Sequence, residues 1–214
     1  MADARCVKRV AVLGSTGSIG RSTLEVIATH PEKLRLVGIA ARSRIERFAE
    51  QLTTHRPPLA ALWDATKAQE LGRIAGRRDV LVGEEGLTRL ATHPEVDVVV
   101  VATLGREALV PLLRAIQAGK QIALASKELL VMAGELIMRL VEEHGTCLIP
   151  IDSEHAALFQ CLQGVPKEQV TRLVVTGSGG PLWAMPASER QAVTRAQVLA
   201  HPKWQMGPKI TVDS

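Results

Sequence analysis

Two carboxylates separated by one residue are the first candidates for chemistry in this sequence. Asp152 and Glu154 flank Ser153 directly after an apolar run. Carboxylate and hydroxyl oxygens are hard ligands of the kind that Mg²⁺ and Mn²⁺ bind. Acidic residues are also typical of the first turn of a helix, where they need no metal. The spacing therefore leaves both a metal site and an ordinary helix start open.

Two further polar clusters follow apolar runs. Lys127 stands between Ser126 and Glu128, and its ammonium group could pair with an anion or a carbonyl oxygen. Glu128 could equally serve only to stabilise a helix N-terminus. Ser178 lies in the glycine-rich stretch 177–180, whose backbone N–H groups could hold a phosphate. The alternative for that stretch is a flexible loop.

A further candidate, His201, lies in a stretch with weak secondary-structure signals. Trp204 and Met206 follow it among prolines and a glycine. Exposed apolar residues in an irregular stretch are typical of a lid that closes over a substrate. The alternative is a surface loop that packs its tryptophan onto its own domain.

Near the N-terminus, three glycines follow an apolar run at intervals of three residues. Gly14, Gly17 and Gly20 come after residues 10–13 and lead into a helical pattern. A strand, a tight turn and a helix N-terminus together present free N–H groups that suit a phosphate or pyrophosphate. The usual dinucleotide spacing is G-x-G-x-x-G, so an ordinary strand–helix turn stays open as the alternative.

The residues after the second predicted strand bear on cofactor choice. An acidic residue at this place would bind the ribose 2′-hydroxyl of NAD. Here Arg42, Ser43 and Arg44 follow the strand, and no carboxylate occurs before Glu46. This pattern favours a 2′-phosphate and hence NADP. The alternative is that both arginines are solvated charges at the start of the next helix.

The apolar pattern predicts a scaffold that brings the strand ends together. Apolar runs alternate with amphipathic stretches, and residues 96–102 form an almost unbroken run, typical of a parallel strand covered on both faces. The alternation predicts an α/β fold with a doubly wound, mostly parallel, Rossmann-like sheet and right-handed crossovers. We expect one domain over 1–150 and the start of a second over 151–214. The predicted strands are 7–13, 36–40, 59–63, 80–82, 96–102, 121–125, 146–151 and 170–176, and the predicted helices are 18–30, 45–55, 66–75, 86–92, 106–118, 128–144, 152–162 and 188–199.

Composition excludes several classes of protein. The 214 residues carry a net charge of +4, but no long basic block occurs and aromatic residues make up only 2%, which argues against nucleic-acid binding. No apolar run reaches the roughly 20 residues that a membrane helix needs, and the N-terminus does not resemble a signal peptide. The cysteines Cys6, Cys147 and Cys161 show no metal or disulfide spacing. We therefore expect a cytoplasmic protein that binds neither nucleic acid nor membrane.

Taken in chain order, the clusters resemble those of the 1-deoxy-D-xylulose 5-phosphate reductoisomerase family. The resemblance covers the whole chain and implies isomerisation and reduction of 1-deoxy-D-xylulose 5-phosphate to 2-C-methyl-D-erythritol 4-phosphate, in non-mevalonate isoprenoid biosynthesis. It also implies NADPH, Mg²⁺ or Mn²⁺, a homodimer, and an NADPH-binding domain followed by the beginning of an α+β catalytic domain. The matching stretches are 14–20, 125–128, 150–155, 176–181, 201–207 and 209–214.

The resemblance further implies a role for individual residues. Lys127, Asp152, Glu154 and His201 would be catalytic, and the two carboxylates among them would bind the metal. The implied NADPH-binding residues are Thr16, Gly17, Ser18, Ile19, Arg42, Ser43, Arg44, Ser126, Glu128 and Gly207, and the implied substrate-binding residues are Lys127, Ser153, Glu154, Ser178, His201, Trp204 and Ser214.

Two departures from the family pattern matter. The family usually has asparagine where this chain has Ser126, which weakens the expected cofactor contact. The sequence also stops at Ser214, before a segment in which the family carries a third metal-binding glutamate. Two acidic ligands predict a more open metal site. A catalytically silent NADPH-binding fragment is therefore the main alternative, followed by another NADP-dependent dehydrogenase, of a semialdehyde or homoserine type.

Overall fold

The computed structural model describes residues 7–77, 79–103, 105–203 and 207–213. This part of the chain divides into two compact units, one up to Ala156 and one from Ala157 onward. No helix within the described ranges is long and apolar enough to cross a membrane.

A parallel sheet forms the centre of the first unit. Seven strands can be assigned in the described part of the chain, in the order β4-β3-β2-β1-β5-β6-β7, and every neighbouring pair is parallel. The order reverses at β1, so β1 and β5 flank the point where ligands bind in such sheets. The strands are β1 (Lys8–Leu13), β2 (Leu34–Ala41), β3 (Leu59–Leu62), β4 (Leu81–Val82), β5 (Val98–Val101), β6 (Gln121–Leu124) and β7 (Leu148–Pro150).

Helices cover both faces of this sheet. Successive residues of a strand point to opposite faces, so Val12 packs in one core cluster and Leu13 in the other, both fully buried. The cluster of Val12 contains the apolar faces of α1, α2 and α3, and the cluster of Leu13 contains those of α4, α5 and α6. The helices are α1 (Ser18–Thr29), α2 (Ile45–His55), α3 (Ala68–Ala75), α4 (Gly83–Ala91), α5 (Leu109–Gln117), α6 (Lys127–Glu143), α7 (Ser153–Cys161), α8 (Arg195–Val198) and α9 (Pro208–Asp213).

The predicted α/β fold is confirmed, and two local predictions are wrong. Residues 170–176 were predicted as a strand, but they have no strand assignment and Val174 and Val175 are exposed. A strand needs a ladder partner for its N–H and C=O groups, and no described residue provides one there. The predicted helix 188–199 contains only a 3₁₀ turn, Arg190–Ala192, and α8. Residues 208–213, for which no helix was predicted, form α9, which begins at a proline, a residue favoured in a helical first turn.

An ion pair at the amino ends of β1 and β5 makes stability depend on pH. Arg9 donates to both carboxylate oxygens of Asp97, at 2.9 and 2.8 Å. These hydrogen bonds lower the pKa of Asp97 to about 2. We expect Asp97→Asn to lower the free energy of unfolding by about 1–2 kcal/mol at neutral pH, a figure reduced for solvent screening.

The difference in unfolding free energy between wild type and Asp97→Asn should depend on pH in a defined direction. Because the pKa of Asp97 is lower in the folded state than in the unfolded state, its ion pair stabilises the fold fully at pH values above the unfolded-state pKa. This stabilisation is lost as the pH falls through the folded-state pKa. Urea unfolding should therefore show the wild-type advantage shrinking between about pH 4 and pH 2. Asp79→Asn is the control, because Asp79 pairs with Arg77 but is 69% exposed, and should cost less than about 0.5 kcal/mol. A wild-type advantage over Asp97→Asn that is as large at pH 2 as at pH 7 would contradict the account.

Candidate cofactor and metal site

The turn after β1 depends on a glycine at its first position. Gly14 has φ +91°, and a Cβ there would lie 2.6 Å from the carbonyl oxygen of Ala102, at the end of β5. The N–H groups of Gly14 and Ser15 both donate to Ala40 O at 2.9 Å. The turn is thus fixed between the carboxyl ends of β5 and β2, and a side chain at Gly14 would force them apart.

The helix that follows this turn begins with open donors. Gly17 is the N-cap of α1, without a side-chain capping bond, and its own N–H donates to Gly14 O. The first N–H groups of a helix have no intrahelical partner, so those of Ser18 and Ile19 are suited to an anion. Thr16, which precedes the cap, is buried. All four residues predicted for a pyrophosphate, positions 16–19, therefore lie at one helix N-terminus.

A buried side-chain pair that the sequence analysis missed holds the turn from behind. The Ser15 hydroxyl donates to Gln51 Oε1 at 2.8 Å, and Gln51 Nε2 donates to Ser15 O at 2.8 Å. Ser15 is fully buried and Gln51 is buried. Two reciprocal bonds in a low-dielectric setting fix the backbone of Ser15 relative to α2.

Removing the amide of Gln51 should loosen this turn. We expect Gln51→Leu to lower the free energy of unfolding by about 2 kcal/mol, because two buried polar groups of Ser15 lose their partner. The same change should weaken binding of an anionic dinucleotide about tenfold. Gln51→Glu is the matched variant, since it keeps the acceptor for the hydroxyl and loses the donor to Ser15 O. Calorimetric titration and urea unfolding measure both effects, and unchanged affinity in both variants would refute the positioning role.

A cleft of about 750 Å³ opens in front of the glycine turn at the carboxyl ends of β1, β2 and β5. Arg42, Ser43 and Arg44 line it together with Gly14 and Gly17, so the structure brings the predicted phosphate turn and the predicted 2′-phosphate residues to one cavity. Trp63, Asp64 and Lys67, which the sequence analysis did not assign, also line it. The Lys67 ammonium group donates to Ser43 O at 3.2 Å.

Arg42 is held by a carboxylate that was also not predicted. Arg42 Nη2 lies 3.1 Å from Glu107 Oε1, with the Arg42 side chain 62% exposed and that of Glu107 only 11% exposed. Glu107 Oε2 is buried without a hydrogen-bond partner among the described residues. Because the carboxylate is buried, the charge of Arg42 compensates it, and less of that charge is available to a ligand.

Ser126 and Glu128 lie where β6 gives way to α6. Ser126 is the N-cap of α6. It is buried, and its hydroxyl donates to the carbonyl oxygens of Thr103 and Val101, so it ties α6 to the end of β5. Glu128 lies in the first turn of α6, a place where its charge is favourable for the helix. The structure therefore shows a structural role for Ser126, and its cofactor contact stays a prediction.

Lys127, Asp152 and His155 form a polar cluster at the ends of β6 and β7. Lys127 Nζ lies 3.2 Å from Asp152 Oδ2, and His155 Nδ1 lies 2.8 Å from Asp152 Oδ1. Burial raises the pKa of Asp152, while the hydrogen bonds from His155 and Lys127 together lower it by more, so its pKa lies below the ordinary value. Asp152 is thus a carboxylate already matched to a cation.

The second predicted metal ligand has a different partner. Glu154 Oε1 accepts a hydrogen bond from the Ser153 hydroxyl at 2.8 Å, in the first turn of α7. The N–H of His155 donates to Asp152 at 3.4 Å, so the helix-start interpretation describes part of this geometry. In the part of the chain that the structure describes, no cluster of three or more His, Cys, Asp or Glu could hold a metal ion. The donor chemistry fits a divalent cation with two protein carboxylates and an open coordination sphere.

The second unit contains the remaining predicted residues. His201 Nε2 lies 3.1 Å from the Ser178 hydroxyl, so two residues 23 positions apart in sequence come together. Gly207 accepts a hydrogen bond from the Thr211 hydroxyl at 3.0 Å, just before α9. The predicted substrate-binding residues Trp204 and Ser214 lie outside the described residues.

The sequence pattern predicted no role for four residues that are important to this geometry: Gln51, Lys67, Glu107 and His155. All four lie inside segments predicted as helices, where their residue types are ordinary. Gln51, Lys67 and Glu107 each contact a group that is distant in sequence, so no local spacing indicates these contacts. The His155–Asp152 contact has helical i, i+3 spacing, which is the one signal that could have revealed it.

Comparison with known proteins gives a consistent family assignment. Residues 10–134 match the family model described as 1-deoxy-D-xylulose 5-phosphate reductoisomerase, and residues 148–214 match the model of its C-terminal domain. The reductoisomerase of Geotalea uraniireducens is 45% identical over 210 residues, covering 97% of this chain and 54% of that protein. That of Crocosphaera subtropica is 42% identical, covering 97% and 53%. The chain thus spans about half the length of the curated relatives it matches.

Solved structures give the same result. A crystal structure of DOX-P reductoisomerase in complex with NADPH, fosmidomycin and magnesium superimposes with a TM-score of 0.88 at 34% identity, over 97% of this chain and 54% of that one. The Zymomonas mobilis enzyme in complex with NADPH superimposes with a TM-score of 0.82 at 35% identity, over 92% and 52%. Two family models over most of the chain and relatives above 40% identity lead to one conclusion: the chain belongs to the 1-deoxy-D-xylulose 5-phosphate reductoisomerase family.

Proposed function

We propose that this chain binds NADPH and a divalent metal and takes part in the conversion of 1-deoxy-D-xylulose 5-phosphate to 2-C-methyl-D-erythritol 4-phosphate. The observation that carries the proposal is the cleft in which the glycine turn and the basic residues 42–44 meet. The family membership and the relatives solved with NADPH and magnesium support it. Residues 1–150 would form the NADPH-binding domain and 151–214 the start of the catalytic domain.

The cofactor would lie along the cleft, from the glycine turn to the basic end formed by Arg42, Arg44 and Lys67. Residues 16–19 would hold the pyrophosphate at the N-terminus of α1, where the N–H groups of Ser18 and Ile19 have no intrahelical partner. Arg42, Ser43 and Arg44 would face the 2′-phosphate. Ser126, Glu128 and Gly207 would contact the nicotinamide side. NADPH, when bound, supplies the hydride for the reduction.

The metal and substrate roles follow from the polar residues after β6 and β7. Asp152 and Glu154 would hold Mg²⁺ or Mn²⁺, which when bound polarises oxygens of the substrate. Lys127 would contact substrate oxygens with an ammonium group that already lies 3.2 Å from Asp152. His155 would fix the orientation of the Asp152 carboxylate through their 2.8 Å contact. The proposed role of each of these side chains is to bind or orient the metal or the substrate.

The second unit would supply groups for the rest of the substrate. Ser153 would bind the substrate beside the metal ligands, and Ser178 and Ser214 would bind its phosphate. His201 and Trp204 would belong to a closing segment. The support is the resemblance, together with the 3.1 Å contact between His201 and Ser178. A cytoplasmic homodimer completes the proposal, and its support is the resemblance.

Titration of the chain with NADPH and with NADH tests the cofactor part directly. We expect saturable binding of one NADPH per chain, with an affinity at least about tenfold higher than for NADH, since a phosphate facing cations adds charge-assisted hydrogen bonds. Increasing salt should reduce the preference, because screening acts on the additional phosphate. Equal affinities for the two cofactors would contradict the proposed use of NADPH.

A second candidate function is NADPH binding without turnover. The observation that favours it is the donor set: among the described residues, no group of three or more His, Cys, Asp or Glu could hold a metal ion. Binding of NADPH is common to both functions, so only turnover of the substrate separates them.

A further inference from the structure

The basic end of the cleft contains one cation more than the sequence pattern suggested, and its charges are unequally available. Arg42, Arg44 and Lys67 all line the cavity. Arg42 pairs with the buried carboxylate of Glu107. Among the described residues, neither Arg44 nor Lys67 has a carboxylate within ion-pairing distance. The net positive charge offered to a ligand therefore comes mainly from Arg44 and Lys67.

The backbone places Lys67 at this end of the cleft. The β2–β3 pairing continues past the strands, with Trp63 N donating to Ala41 O and Asp64 N donating to Arg42 O, both at 3.0 Å. Asp64 then accepts hydrogen bonds from the N–H and hydroxyl of Thr66, which caps the 3₁₀ turn Ala65–Lys67. This turn directs the Lys67 side chain back across the cleft to Ser43.

The end of the Lys67 side chain is already fixed beside the residues predicted for the 2′-phosphate. Its ammonium group donates one hydrogen bond to Ser43 O at 3.2 Å, and an ammonium group has three donors. Two donors are therefore available next to a residue of the 42–44 stretch. Asp64, the acidic residue of this wall, uses Oδ1 to cap the turn.

We propose that Lys67, together with Arg44, determines the preference for a 2′-phosphorylated cofactor, and that Glu107 limits the contribution of Arg42. This inference rests on the proposed use of NADPH. It assigns the preference for NADPH over NADH in part to Lys67, a residue of the β3–α3 connection, rather than to the 42–44 stretch alone. It also predicts opposite effects for two substitutions, because Lys67 adds positive charge to the site and Glu107 removes it.

The test measures dissociation constants for NADPH and NADH in the 214-residue chain by titration calorimetry. Lys67→Met should raise the NADPH constant about tenfold and leave the NADH constant within about twofold, since only the 2′-phosphate differs. Lys67→Arg should keep most of the preference. Glu107→Gln should lower the NADPH constant several-fold, because Arg42 becomes available; the substitution is isosteric and removes the negative charge that pairs with Arg42. Arg73→Gln, at the last turn of α3, controls for the loss of one positive charge elsewhere.

Adenosine 2′-monophosphate and adenosine 5′-monophosphate give a readout that does not depend on the nicotinamide end. Lys67→Met should weaken the 2′-isomer selectively. Equal weakening of NADPH and NADH would overturn the inference, because it would show that Lys67 only supports the fold of the wall. Unchanged NADPH affinity would overturn it as well. A wild-type chain without preference for NADPH would instead contradict the proposed function itself, so the two failures are distinguishable.

Discussion

Replacing Gly14 with alanine should abolish useful binding of NADPH. Alanine at φ +91° is strained, and its Cβ would lie 2.6 Å from Ala102 O. Relief of this contact requires the turn to move away from the end of β5, which misaligns the N–H groups of positions 16–19. Strain and overpacking together cost roughly 2–4 kcal/mol, and we expect the NADPH dissociation constant to rise about 100-fold or more.

A second glycine separates backbone strain from the loss of the turn. Gly76 has φ +63°, and a Cβ there would meet no atom within 4 Å. Gly76→Ala should therefore cost about 1 kcal/mol of unfolding free energy and leave NADPH affinity unchanged. Urea unfolding and NADPH titration of both variants give the comparison. Gly14→Ala that binds NADPH as tightly as Gly76→Ala does would show that the turn does not form the phosphate site.

The second large effect is expected at Asp152. Asp152→Asn replaces the carboxylate that faces both Lys127 and His155 with a neutral amide, which is a much poorer ligand for a divalent cation. We expect Mn²⁺ binding to weaken and metal-dependent turnover to fall at least about 100-fold. NADPH affinity should stay within about twofold, because the glycine turn and the basic end of the cleft are unaffected.

Direct measurement of Mn²⁺ binding by electron paramagnetic resonance separates this prediction from a general loss of structure. Glu143→Gln is the control carboxylate, since Glu143 lies on the surface at the end of α6 and is 55% exposed. The control should bind Mn²⁺ and NADPH like the wild type. Undiminished Mn²⁺ affinity in Asp152→Asn would remove Asp152 from the metal site.

The sheet could be predicted because its signals are local. The run 96–102 is apolar because β5 is covered on both faces, and α2 begins and ends at the predicted residues, Ile45 and His55. The prediction of a strand over 170–176 is wrong because strand formation there depends on a feature that is not local. The apolar residues of this segment favour extended backbone, but a strand also needs a neighbour, and sequence does not show whether one is present.

The candidate site likewise contains some features that could be predicted from sequence and others that could not. The glycine turn, the basic stretch 42–44 and the pair Asp152 and Glu154 are contiguous motifs, so their residue types and spacing could be interpreted directly. The contacts of Gln51, Lys67 and Glu107 are not contiguous, because each depends on how two connections approach each other after folding. The unequal availability of the cleft cations follows from those contacts, which is why sequence assigned the preference to positions 42–44 alone.

The most direct test of the proposed function follows NADPH oxidation by its absorbance in the presence of 1-deoxy-D-xylulose 5-phosphate and Mn²⁺, with the wild-type chain beside Asp152→Asn. The account predicts oxidation that requires both substrate and metal and is lost in the variant while NADPH binding is retained. Oxidation that survives Asp152→Asn would contradict the role of the metal site. A wild-type chain that binds NADPH and does not oxidise it would contradict the catalytic proposal and leave cofactor binding as the function of these residues.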